Sequence, residues 1–221
     1  MAQKRSLKRI VLDILSDSSP FMTRVGQICV LAILNLLWLI CCLPVITAGA
    51  SSAALAAVLL QYPQQTVGSA FIDFFAAFRK QLRPATPVWL ILLICGAVLA
   101  VDYRFLVIRE LTESLPLMAV FFTALFLYGF LLVWTFPVLA VLGGSTVSVL
   151  RDAMLLAVAY LGRSLLCTAL MLLAPAAALL YASFFAKTLV FWLIIGFALI
   201  ALAQMLLVRK PLQKYAEKRN V

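Results

Sequence analysis

Histidine is absent from the 221 residues, and only eight acids accompany eighteen Lys and Arg. The acids are Asp13, Asp17, Asp73, Asp102, Glu110, Glu113, Asp152 and Glu217, and all fall at the ends of apolar runs or between them. With no histidine, no paired carboxylates inside an apolar run and no glycine-rich phosphate loop, the usual catalytic constellations are missing. The expectation is a protein that is not an enzyme, with no catalytic residues and no cofactor. Five cysteines, Cys29, Cys41, Cys42, Cys95 and Cys167, lie within apolar runs without C-x-x-C spacing. They read as small apolar side chains rather than a metal site or a disulfide framework.

Charge is scarce as well. Charged residues make up 12% of the chain and hydrophobic ones 66%, against about 25% and about 45–50% in ordinary soluble domains. A soluble fold needs polar surface to cover its core, and this chain has too little. The net charge of +10 does not point to nucleic acid, because the basic residues sit between apolar runs and are not interleaved with aromatics as a base-stacking surface requires.

What the chain does have is long apolar runs, each suited to crossing a hydrocarbon core of about 30 Å. The fold class expected is all-α, a polytopic membrane bundle of about six spans in a single domain over 1–221. Spans are placed at about 25–43, 46–62, 87–106, 116–142, 164–183 and 188–208. The doubtful one is 46–62, rich in Ala, Ser and Gly; five full spans plus a small-residue hairpin helix is the alternative. Counting basic residues arbitrates. With six spans, fifteen of the eighteen Lys and Arg share one side, leaving Arg104, Arg109 and Lys187 on the other. Without a crossing at 45–62 the split is eight to ten. The positive-inside rule therefore favours six spans, with both termini cytoplasmic.

Shorter segments add detail. Residues 4–18 carry Leu7, Ile10, Val11, Ile14 and Leu15 at helical spacing with Lys4, Arg5, Lys8 and Arg9 opposite, the pattern of an interfacial amphipathic helix. Ser19 and Pro20 suit the start of the first span. In 71–82, Phe71, Phe74, Phe75, Phe78 and Leu82 share a face, which predicts a short interfacial helix ahead of Pro84. Asn35 is the main polar side chain placed near mid-bilayer, and it reads either as a solute contact or as interhelical glue. In the second stretch Gly49, Ala53 and Ala57 recur every four residues, a face that lets helices approach closely.

Residues 18–55, SSPFMTRVGQICVLAILNLLWLICCLPVITAGASSAAL, resemble the YesL family of bacterial membrane proteins, a domain of unknown function. The resemblance rests on Asn35-Leu36-Leu37-Trp38, then Leu43-Pro44, Thr47, Gly49, and Ala54-Leu55. Residues 74–92 and WTFPVLA at 134–140 are similar to the family too. The resemblance implies a multi-pass protein of the bacterial plasma membrane, often encoded near carbohydrate-uptake genes, and no established activity. Asn35, Trp38, Pro44, Thr47 and Gly49 are the motif residues of interest.

Two functional classes follow. One is an accessory subunit that binds another membrane protein, such as a sugar importer, through cytoplasmic connectors carrying Arg79, Lys80, Arg83, Arg151 and Arg163. The other is a small solute permease with a path near Asn35. The shortage of polar groups at the midplane favours the first. Its partners are then the lipid bilayer and another membrane protein. The topology is directly testable. In a cysteine-free variant, single cysteines at 65 and 215 are expected to resist an impermeant thiol reagent in intact cells, while one at 112 reacts. Labelling at 65 with protection at 112 contradicts the arrangement.

Overall fold

Several helices begin where the sequence supplies a cap or a proline. In the computed structural model, which describes residues 20–109, 114–180 and 182–219 (backbone alone for 20–22, 173–180 and 182–186), every element among the described residues is helical. The predicted interfacial helix 4–18 lies outside the described residues. Helix α1 runs Pro20–Cys42 and opens on proline, whose missing N–H is no loss at a helix start. A 3-10 turn at Val45–Thr47 leads into α2, Ala48–Leu59. Helix α3, Val67–Ile108, opens with a capping box in which Thr66 and Ser69 satisfy each other's backbone N–H. Helix α4 is Leu115–Leu142 and α5 is Thr146–Ala159, capped by the Ser145 hydroxyl. Helices α6 (Leu161–Leu180), α7 (Ala182–Phe191) and α8 (Phe197–Arg219) follow, with a π-helical turn at Trp192–Gly196 before α8.

Four of these segments are long and apolar enough to cross a membrane: Thr23–Cys42, Val67–Ile108, Leu115–Leu142 and Lys187–Arg219. A fifth exists if the pair Thr146–Ala159 and Leu161–Leu172, bent by 106°, counts as one span. The all-α membrane bundle thus stands. The predicted span 46–62 is a shorter apolar helix; its twelve residues extend about 18 Å, short of the roughly 30 Å of hydrocarbon. Among the described residues the helices give four spans, or five with the bent pair, plus a small-residue hairpin helix, against the six expected. The predicted interfacial helix 71–82 and span 87–106 are one continuous helix, because neither Pro84 nor Pro87 breaks it. These prolines deprive the carbonyls of Lys80 and Arg83 of an N–H. Both residues are exposed, so water or headgroups can serve those carbonyls. One turn further on, the Thr86 hydroxyl donates to the Leu82 carbonyl at 2.5 Å.

The helices alternate in direction. Trp38 meets Ser51 and Ser52 across the α1–α2 turn, and Gly49 meets Ala85 and Trp89 of α3. Ring contacts Tyr103–Phe121 and Trp89–Phe136 set α4 antiparallel to α3. Trp134 Nε1 donates to Ser164 Oγ at 2.8 Å, joining α4 to α6. Gln204 and Arg163 join α6 to α8 through the carbonyls of Cys167 and Leu207. Because α1 and α2 form an antiparallel hairpin, the chain returns to the end from which α1 started even though α2 is short. The charge count and the short helix are therefore compatible: what matters is the return, not a full second crossing.

One end of the bundle is fastened by Asp152, which is 1% exposed. Its carboxylate accepts from Arg219 at 2.6 Å and from the Tyr215 hydroxyl at 3.2 Å, tying the last turns of α8 to α5. Arg151 reaches the same carboxylate at 3.5 Å with a largely exposed side chain, a contact worth little. Asp152→Ala is expected to cost about 1 kcal/mol, the low end for lost bonds whose partners can turn to water. It should speed tryptic cleavage at Arg209 and Lys214 in mild detergent. Arg151→Ala should leave the cleavage rate unchanged; equal effects would contradict the latch.

Candidate functional site

The five motif residues come together at the α1–α2 hairpin. Asn35 is fully buried, on the α1 face turned toward the π-helical turn. A π turn shifts the hydrogen-bond register and strands backbone groups that hydrocarbon cannot satisfy. The Asn35 carboxamide meets them: Nδ2 donates to the carbonyls of Leu193 (2.6 Å) and Trp192 (3.2 Å), and Oδ1 accepts from the Ala198 amide at 2.8 Å. Its hydrogen bonds all go to the backbone of the π turn and the start of α8. Of the two readings of Asn35, this geometry is that of glue.

The rest of the motif shapes the turn. Pro44 is extended (φ −75°, ψ 113°) and caps the 3-10 turn. The Thr47 hydroxyl reaches the carbonyls of Cys41 (2.7 Å) and Pro44 (2.9 Å), pairing groups that the end of α1 leaves open. Trp38 Nε1 donates to Ser52 Oγ at 3.2 Å, and Ser51 Oγ donates back to the Trp38 carbonyl at 3.1 Å. Gly49 lies against α3 so closely that a Cβ there would collide with the Cβ of Trp89. Trp89 in turn donates its indole N–H to the Val45 carbonyl at 2.7 Å. With Ala50, Ala53 and Ala85 fully buried beside it, the small-residue face is a packing surface.

Beside the hairpin is a cavity of about 540 Å³, within the roughly 300–1,000 Å³ typical of ligand sites. Trp38, Trp89, Tyr128, Phe136 and Phe197 supply rings, and Ser52 and Gln204 supply polar groups. Asn35 is not in its wall. Both indole N–H groups are committed as described, and Gln204 Nε2 donates to the Cys167 carbonyl at 3.0 Å. No charged side chain lines it. Among the described residues, no cluster of three His, Cys, Asp or Glu could hold a metal ion.

The five basic candidates separate into two sets. Arg79, Lys80 and Arg83 are exposed, and among the described residues no ion pair involves them. Arg163 points inward, donating to the Leu207 carbonyl at 3.3 Å and lying 5.7 Å over the Tyr160 ring. Arg151 contacts Asp152. The structure therefore does not gather them into one surface. Phe71 and Phe75 are exposed, while Phe74 is buried and Phe78 packs on the core.

Sequence reasoning missed Asp152, Gln204 and Trp89. Asp152 had a signal: it shares the α5 face of Val149, Ala153 and Leu156, all buried, so an acid stood at a core position. Gln204 was a polar residue inside the final apolar run. Nothing in spacing linked Trp89 to Val45.

Residues 31–103, about a third of the chain, match a family model described as "Protein of unknown function, DUF624". The YesL family is a DUF624 family. No curated protein and no solved structure matches the chain. The matched stretch contains all five motif residues and most of the helix onto which the hairpin packs.

Stranding a buried polar group costs about 1–3 kcal/mol, more than the roughly 0.6 kcal/mol averaged by polar contacts between spans. Asn35→Leu is therefore expected to lower stability in mild detergent by on the order of 2 kcal/mol. Gly49→Leu should destabilise by a similar amount, as overpacking does at about 1–3 kcal/mol. Leu36→Ala, at an exposed position of α1, should change little. Thermal unfolding followed by tryptophan fluorescence measures all three; equal losses at the three sites would contradict the assignment.

Proposed function

We propose, for a chain whose residues 31–103 form a DUF624 domain, that it is a non-enzymatic accessory subunit of the bacterial plasma membrane that binds another membrane protein. The observation that carries this reading is the exposed face of α3, on which Ile72, Phe75, Arg79, Lys80 and Arg83 recur at helical spacing. Three cations with no ion pair among the described residues, beside exposed apolar side chains, suit an acidic, partly apolar surface, and such complementarity governs encounter and register. Arg163 drops out of the docking set because it serves the chain's own packing, and Arg151, exposed on α5, does not stand on this face of α3. Both termini are cytoplasmic in this reading. The alternating helices leave the start of α3, the connection 143–145 and the end of α8 at one end of the bundle, where the basic residues concentrate. The partner class comes from the family resemblance, which implies a neighbourhood of carbohydrate uptake: the membrane subunit of a sugar importer.

A permease is the second reading, and the cavity beside the hairpin is what favours it. Against it, a sugar path needs several convergent hydrogen-bonding groups, whereas the cavity's indole N–H groups are spent on the protein itself. Reversing charge at Arg79, Lys80 and Arg83 together is expected to abolish co-purification of the importer's membrane subunit while leaving thermal stability within about 0.5 kcal/mol, as for surface changes. Unchanged co-purification counts against this reading. Sugar movement by the purified protein alone in liposomes, lost in Gln204→Leu or Asn35→Leu, would establish the permease instead.

A further inference from the structure

The cavity beside the hairpin has its own chemistry, independent of the docking face on α3. We propose that it binds one hydrocarbon chain of a membrane amphiphile and leaves the polar head outside. Four observations converge. The wall is apolar and uncharged, made of aromatic rings with Leu, Ala and Met side chains. Its volume of about 540 Å³ is that of a site for one ligand, not a packing defect. Its indole N–H groups already bond Ser52 and Val45, so a polyhydroxylated solute would exchange water for few new hydrogen bonds. Finally, Met171 lines the cavity and is also 40% exposed on the apolar surface of α6, which puts an entrance beside the acyl region of a bilayer.

Tyr128 and Gln204 set a limit on the ligand. Among the described residues no hydrogen bond engages the Gln204 carbonyl oxygen or the Tyr128 hydroxyl, both in the wall, so a single ester or hydroxyl near the top of the chain can be accommodated. No Lys or Arg lines the site, and a phosphate or carboxylate head must stay outside. Met171 and Met205 in the wall are flexible and adapt to chains of differing length and branching.

The test uses full-length protein delipidated in mild detergent and titrated with palmitic acid or with a phosphatidylglycerol carrying palmitoyl chains, read by native mass spectrometry. One saturable adduct per chain is expected. Ala201→Phe, which fills the cavity from α8, should weaken it on the order of tenfold, about 1.4 kcal/mol. Ala48→Phe, filling from α2, provides a second variant should the first fail to fold. Leu199→Phe, on the exposed side of α8, should bind as the parent does. Binding of palmitic acid alone identifies a free chain as the ligand, and binding of both identifies an esterified chain as sufficient. Absence of a saturable adduct with either, or undiminished binding in both filled variants, overturns the proposal.

Discussion

A backbone that leaves regular helix inside hydrocarbon must find every lost hydrogen bond within the protein, since lipid supplies none. In this chain that demand arises at the π turn Trp192–Gly196 and is met from a distance of more than 150 residues by the Asn35 carboxamide. The other features of the fold follow from where Asn35 must stand. It fixes α1 against the start of α8, which brings Trp38 to within 5.5 Å of Phe197. The α1–α2 hairpin then has to turn immediately, and Pro44 and Thr47 make that turn without stranding the carbonyls of Cys41 and Pro44. Gly49 lets the returning helix press on α3, and Trp89 secures the turn through Val45.

The same hairpin explains the cavity. Nine of the twelve residues of helix α2 are Gly, Ala or Ser, six of them buried, so it fits closely where it meets α3. Where it faces α4 and α8 instead, small side chains stand opposite the rings of Phe136 and Phe197, which meet Trp89 and Trp38 at tilted angles. Close approach on one side leaves room on the other, walled by Ala48, Ser52 and Ala56 together with Phe136 and Phe197. Packing and binding are thus two sides of one short helix.

Much of this was legible in the sequence, and the reasons are physical. Hydrophobic length and the placement of basic residues revealed a helical membrane bundle, because hydrocarbon thickness and loop charge act on each segment independently. Asn35, Pro44, Thr47 and Gly49 stood out because polar, rigid or minimal side chains are conspicuous in an apolar run. The length of α2 was harder, since alanine is compatible with both a crossing and a buried hairpin. Pro84 and Pro87 suggested a break that α3 does not make, because the carbonyls they orphan belong to the exposed residues Lys80 and Arg83. The inward roles of Arg163 and Asp152 depend on which helix lies opposite, and that is tertiary information.

The central claim is that Asn35 substitutes for the missing backbone bonds of the π turn. Hydrogen–deuterium exchange over residues 192–199, in the parent protein and in Asn35→Gln in the same detergent, tests it most directly. The longer side chain keeps the carboxamide but displaces it, so the claim predicts faster exchange confined to this segment while the rest of α8 stays as protected as before. Exchange at 192–199 that does not change, or that rises equally along all of α8, would contradict it.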